Sequence, residues 1–95
     1  METLARATQR RTGSEQAAAL RDSTGRTYIA IDILTPSLTL DSVAAVFTVA
    51  MASQISGIEA VVVVGDGPIN VAPVREYASH CLVWRIDSTG EISAL

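Results

Sequence analysis

Lysine is absent from this chain of 95 residues, cysteine and histidine occur once each, and only four residues are aromatic. Each scarcity excludes something. With Cys81 alone no disulfide can close within the chain, and its neighbours Leu82 and Val83 mark a buried thiol in a reducing compartment. So few aromatic rings leave valine, isoleucine, leucine and alanine to build the core. A formal charge of −3 argues against nonspecific binding of nucleic acid by the body of the protein. The N-terminus has no apolar run behind its positive residues, so no secretory leader is expected. The longest uncharged run, Ser42 to Ile58, falls short of the roughly 20 apolar residues of a membrane span and contains Thr, Ser and Gln. The expectation is a cytoplasmic protein without membrane contact.

What the chain does have is hydrophobic mass: 48% of residues are apolar. That suffices for a single core in a domain of this size. The charge is unevenly spread. Residues 1 to 26 carry five arginines against three acids, and the remainder two arginines against seven acids. Residues 1 to 13 are polar and arginine-rich, and they read as a flexible arm ahead of a single compact domain over 14–95.

The domain is organised around Asp41 to Gly67. LDSVAAVFTVAMASQISG reads as a helix, capped by Thr39 or Asp41 and ended by Gly57. It lacks a wide charged face, so more than one of its sides needs cover. AVVVV, residues 60–64, shows no alternation, as in strands covered on both faces. Ahead of this lie AALRD, a Ser-Thr-Gly turn, and the alternating run Thr27 to Leu34, which together predict a hairpin. A helix over Ser14 to Arg21 is the rival reading of the first run. Pro36 ends the second. Beyond GDGPIN a short helix starts near Pro73 and closes at His80; Cys81 to Asp87 forms a strand, and EISAL follows a second Asp-Ser-Thr-Gly turn.

The assembled order is β-β-α-β-α-β-β: an α/β two-layer sandwich with a mixed five-stranded sheet and two helices. The isoleucines 29, 31 and 33 are expected to face the helices. Three sequential parallel strands would fill the centre of the sheet, with the first and last antiparallel at its edges. One sheet face would then lack a helix. A doubly wound arrangement, with a helix on each face, is the alternative.

Candidate chemistry is sparse. GDGPIN stands where α/β proteins bind phosphates, which offers Gly65, Asp66, Gly67 and Asn70 as ligand-binding residues. It lacks the third glycine of a dinucleotide fingerprint and the Lys-Ser/Thr of a P-loop, and Asp66 adds a negative charge. Asp32, Asp66 and Asp87 end presumed strands and are candidates for Mg²⁺. The run YIAID, Tyr28 to Asp32, resembles the first catalytic strand of ribonuclease H-like nucleases, but the chain is too short for that fold and its opening three-strand meander does not fit. No metal site, cofactor or catalytic residue is therefore assigned. Adjacent residues on a strand point apart, so His80 and Cys81 do not read as a base and nucleophile; His80 is expected to end the short helix and Cys81 to be a small core residue.

Two surfaces remain. Tyr28, Asp32 and Arg85 on the bare sheet face, with Phe47 and Met51 on the long helix, are the expected interaction surface. Arg6, Arg10 and Arg11 share one side of the arm if it turns helical, and suit nucleic acid or an acidic partner. The function expected first is a small non-enzymatic regulator, of the kind phage or mobile-element inhibitors represent, that binds another protein and forms a homodimer. Phosphate, nucleotide or Mg²⁺ binding at GDGPIN comes second, and nucleic-acid binding through the arm third.

Overall fold

A computed structural model describes all 95 residues. The five-stranded sheet is mixed, as expected, and the all-valine strand lies at its middle. The chain runs α1 (Glu2–Thr12), β1 (Gln16–Asp22), β2 (Thr27–Ile31), β3 (Ile33–Leu34), β4 (Thr39–Leu40), α2 (Ser42–Ala52), β5 (Ile58–Gly65), α3 (Ala72–Tyr77), β6 (Leu82–Ile86) and β7 (Ile92–Ala94). In space the main sheet reads β2-β1-β5-β6-β7, and β3 and β4 form a separate two-stranded ribbon. The only parallel pair is β5 with β6, Val61 lying beside Val83 and Val63 beside Arg85. β1 is antiparallel to both β2 and β5, so it takes the inner position assigned above to the second strand.

That exchange has a local cause. Ala17, Ala18, Ala19 and Leu20 are all fully buried, the pattern of a strand covered on both faces. The rival helix over 14–21 is thereby excluded. β2 ends at Ile31, where the Asp32 carboxylate accepts the backbone N–H of Gln16 at 3.3 Å, and Ile33–Leu34 turns away to pair with Thr39–Leu40.

The period of two sends the strand side chains to two separate cores. On one face Ala18, Leu20, Val61, Val63 and Val83 meet Val43, Val46 and Ala50 of α2 and Val74 of α3, with Tyr28 and Ala30 beside them. On the other, Ala19, Val64 and Ile86 meet Ala5 of α1, with Ile29 and Val62 beside them. The faces are therefore reversed from the sequence reading. Tyr28, Ala30 and Val83 lie beneath the helices that follow β2 and β5, and Ile29 faces away from them. Both of those helices do share one face, as expected.

The second face is not bare, because residues 2–12 are not an arm. They form α1, which ends at Gly13 in the left-handed conformation and packs across β1, β5 and β2. This turns two layers into three. Only Ala5 and Thr8 of the helix are buried. Such small side chains let a helix lie close on an alanine-lined strand, and they leave no apolar stripe to read in the sequence.

α2 begins as expected, with Asp41 Oδ1 accepting the N–H groups of Val43 and Ala44, both at 2.9 Å. It ends earlier than Gly57 predicts. Gln54 takes φ 58°, and Ser53 N–H closes onto the last turn. α3 starts at Ala72, with Pro73 second, but stops at Tyr77, leaving His80 exposed in a turn. The two Asp-Ser-Thr-Gly turns are built alike: Asp22 Oδ1 accepts from Thr24 N–H, Thr24 Oγ1 and Arg26 N–H, and Asp87 Oδ1 from Thr89 N–H, Thr89 Oγ1 and Glu91 N–H. Shared turn chemistry accounts for that echo. No helix of the chain is long and apolar enough to cross a membrane.

If α1 is an integral layer, Ala5→Asp should cost roughly 3–5 kcal/mol, because it places an uncompensated charge against Ala19 and Val64. Leu4→Asp, on the exposed side, should stay within about 0.5 kcal/mol. Chemical denaturation of the two variants checks this; equal, small effects would mean that α1 does not pack as described.

Candidate functional site

The C-terminal end of β5, the start of β1 and the N-terminus of α2 converge at one rim of the sheet. Gln16 lies at the point of convergence, 2% exposed. Its Oε1 accepts the N–H of Ser42 at 2.7 Å and the Ser42 hydroxyl at 2.6 Å, and its Nε2 donates to the carbonyls of Asp66 at 2.9 Å and Pro68 at 3.3 Å. One side chain thus joins the first turn of α2 to the loop between β5 and α3. A second tie runs beside it, from Asn70 N–H to Asp41 Oδ2 at 3.1 Å. Sequence reasoning found Asp41 as a cap and missed both ties. A glutamine opening an alanine-rich strand carries no signal of its own.

GDGPIN therefore has a structural occupation. The Gly65 and Gly67 carbonyls both accept from Arg85, at 3.0 Å and 2.6 Å from Nη2. Gly65 takes φ 107°, and a side chain there would run into the Glu15 carbonyl. Gly67 lies against the Glu15 carboxylate in the same way. Asp66 Oδ1 accepts from Ser88 N–H at 3.0 Å. The loop presents acceptors and carboxylates inward, the opposite of what a phosphate requires.

The residues expected to form one interaction surface are dispersed. Tyr28 is half-buried and donates its hydroxyl to Asp22 at 3.3 Å; Asp32 holds Gln16, and Arg85 is spent on the glycine carbonyls. Phe47 and Met51 are half-buried on α2. Phe47 meets Tyr77 edge to face with centroids 6.2 Å apart, and these rings with Pro73 and Glu76 line an open groove of about 400 Å³. Of the three arginines proposed for nucleic acid, Arg6 pairs with Glu2 at 2.7 Å, and Arg10 and Arg11 are exposed on the last turn of α1.

The exposed apolar residues that do share a surface lie elsewhere. Leu82, Trp84 and Ile92 are 58%, 38% and 62% exposed. The pairings of Trp84 with Ala94 and Ile86 with Ile92 put all of them on the face that carries α1, past the strands α1 covers.

Metal-ligating and nucleophilic residues do not gather. No three of the His, Cys, Asp and Glu side chains group as a metal site, so Asp32, Asp66 and Asp87 do not form the Mg²⁺ cluster considered above. Burial pushes the Cys81 thiol above its ordinary pKa, only partly opposed by Arg75, whose guanidinium lies 3.9 Å from Sγ. The same guanidinium donates to the Cys81 and Leu95 carbonyls, pinning α3 to the start of β6 and the chain beyond β7.

A family model described as "CDL: Cytidine deaminase-like" matches residues 1–90. No curated protein matches the chain.

Asp22, Asp66 and Asp87 all lie below the ordinary carboxylate value of 3.8. Hydrogen bonds are the main cause: from Thr24 for Asp22, from Ser88 for Asp66 and from Thr89 for Asp87. A carboxyl whose folded pKa is lowered contributes its full stability above the unfolded value and loses it as pH falls through the folded one. Thermal stability should accordingly drop most steeply below about pH 4. In the double variant Asp22→Asn, Asp87→Asn it should start lower at neutral pH and fall less in acid. Parallel melting curves for the two proteins from pH 7 to pH 2 would rule these turns out as the acid-sensitive elements.

Proposed function

The chain belongs to the cytidine deaminase-like family, and we propose that within it this protein is a non-enzymatic binding domain, a small regulator that acts on another protein and pairs with a second copy of itself. Deaminases of the zinc type hold the metal through His/Cys/Cys or three cysteines and use a glutamate as acid and base, in the pattern H-x-E…P-C-x-x-C. That donor set does not fit this chain. Its single histidine and single cysteine are neighbours in sequence, one exposed and one buried with a raised thiol pKa, and neither meets further ligands.

The observation that carries the reading is the uncovered strip of Leu82, Trp84 and Ile92. It runs to the free edge of the sheet at β7. Leu95 N–H bonds to Val83 and the Glu91 carbonyl to Asp87, both inward. The alternation of a strand then leaves the N–H and C=O of Ile92 and Ala94 facing out. Pairing two β7 strands antiparallel about Ser93 sets Ile92 of one copy against Ala94 of the other. No charged side chain occurs from Ile92 to Leu95, and the two apolar strips become one.

Light scattering after size exclusion tests this, at about 0.1 M and 1 M salt, because apolar burial is not screened. A dimer at both salts that becomes a monomer in Trp84→Ser is the expected result. The wild-type fluorescence of Trp84, the only tryptophan, should shift to the red on dilution. A monomer throughout would remove self-association. Ammonia released from cytidine by the purified protein would remove the non-enzymatic part.

A further inference from the structure

The Gln16 tie occupies a telling place in the fold. In the zinc-type signature two thiolates follow a proline at the first and fourth positions, a spacing that puts both on one helix face. α3 carries a proline at its second residue, Pro73, and set on that proline the second half of the signature would run from Pro73 to Tyr77. The thiolate positions there are Val74 and Tyr77. Val74 is fully buried in the core, and Tyr77 turns its ring to Phe47 and donates its hydroxyl to the Ile55 carbonyl at 3.1 Å. Neither side chain is a substitute ligand.

The first half of the signature, H-x-E, precedes the second along the chain. In this chain the start of α2 does meet the loop leading into α3, through Asn70 N–H on Asp41 and through Gln16. A bound metal joins segments distant in sequence and adds its binding energy to folding. Here the same junction is made by a neutral amide.

We infer that Gln16 takes over, in this chain, the tethering that zinc supplies in metal-bearing deaminases, so that the helix-pair junction folds as a metal-free hydrogen-bonded staple. The inference rests on the reading of the chain as a member without zinc chemistry. The stoichiometry supports it. A glutamine side chain has two donor hydrogens and two acceptor lone pairs. All four are used, by Ser42 twice and by the carbonyls of Asp66 and Pro68. The staple also leaves no buried side-chain polar atom unpartnered at the junction.

The test is thermal melting of the full chain with EDTA, with added Zn²⁺, and in two variants. Neither reagent should move Tm in the wild type. Gln16→Leu keeps most of the volume but strands four partners, and should lower Tm by roughly 8 °C or more. Gln16→Glu is the discriminating variant. Ionised, it accepts from Ser42 but has nothing to donate to the Asp66 and Pro68 carbonyls; protonated, it can donate to one of them. Its folded pKa is thereby raised, so its stability is present at low pH and lost as pH rises through that value. The Tm deficit of Gln16→Glu relative to wild type should shrink between pH 7 and pH 4. A deficit constant with pH, a wild-type Tm in Gln16→Leu, or one equivalent of zinc that raises Tm would each overturn the staple. The zinc result would also overturn the metal-free reading of the family member, whereas the first two outcomes leave that reading and the dimer standing.

Discussion

The requirement that two adjacent strands be covered on both faces shapes this protein. β1 buries five consecutive residues, Gln16 to Leu20, three of them alanine, and β5 buries valines toward both sides. A strand in that position needs a helix above and another below. Alanine keeps the layers close, and the branched valines of β5 fill the space that alanine leaves. Once β1 and β5 are so placed, β2 and β6 flank them, and the polar rim closes around Gln16. The small residues of α1 make sense only against such a surface.

Much of this is written in the residues, although unevenly. The unbroken AVVVV run placed β5 correctly because composition alone tells a doubly covered strand from a half-buried one. Pro73 located α3, Asp41 capped α2, and the Asp-Ser-Thr-Gly repeats specified both turns. β1 was harder. Alanine favours helix, and AAAL shows neither alternation nor branching, so burial on both faces could not be told from a helix start. The reversed sheet faces follow from the same difficulty. The isoleucines of β2 look like the stronger apolar face, yet Tyr28 and Ala30 lie under α2 because β1, not β2, sits beside β5 and fixes the pleat.

α1 and the rim were the least legible. A helix seated through Ala5 and Thr8 has no hydrophobic pattern, and its arginines suggest an arm. Gln16 is a contact between segments far apart in the chain, and only the fold brings Ser42 and Pro68 to it. The glycine loop shows the reverse effect. Its sequence suggests a ligand cradle, whereas its carbonyls are turned to Arg85 and its left-handed glycines are needed for close approach to Glu15. A glycine-rich loop at a strand end is shaped by what packs against it, and here that is the protein's own backbone.

The seat of α1 also bears on how the chain acquires its fold. Ala5 is made early, yet two of its partners, Val64 and Ile86, come from β5 and β6. During synthesis the first helix has only β1 and β2 to dock on, and the rest of its seat is missing until nearly all of the sheet has left the ribosome; an isolated helix of 11 residues is marginal in water. The antiparallel β1–β5 pair closes a similarly long loop. Such topology puts the loop-closure entropy ahead of the contacts that compensate it, which slows folding and leaves the apolar β5 segment exposed meanwhile. Folding of this domain is therefore a late, nearly all-or-none event along the nascent chain, with the N-terminal helix among the last pieces to settle.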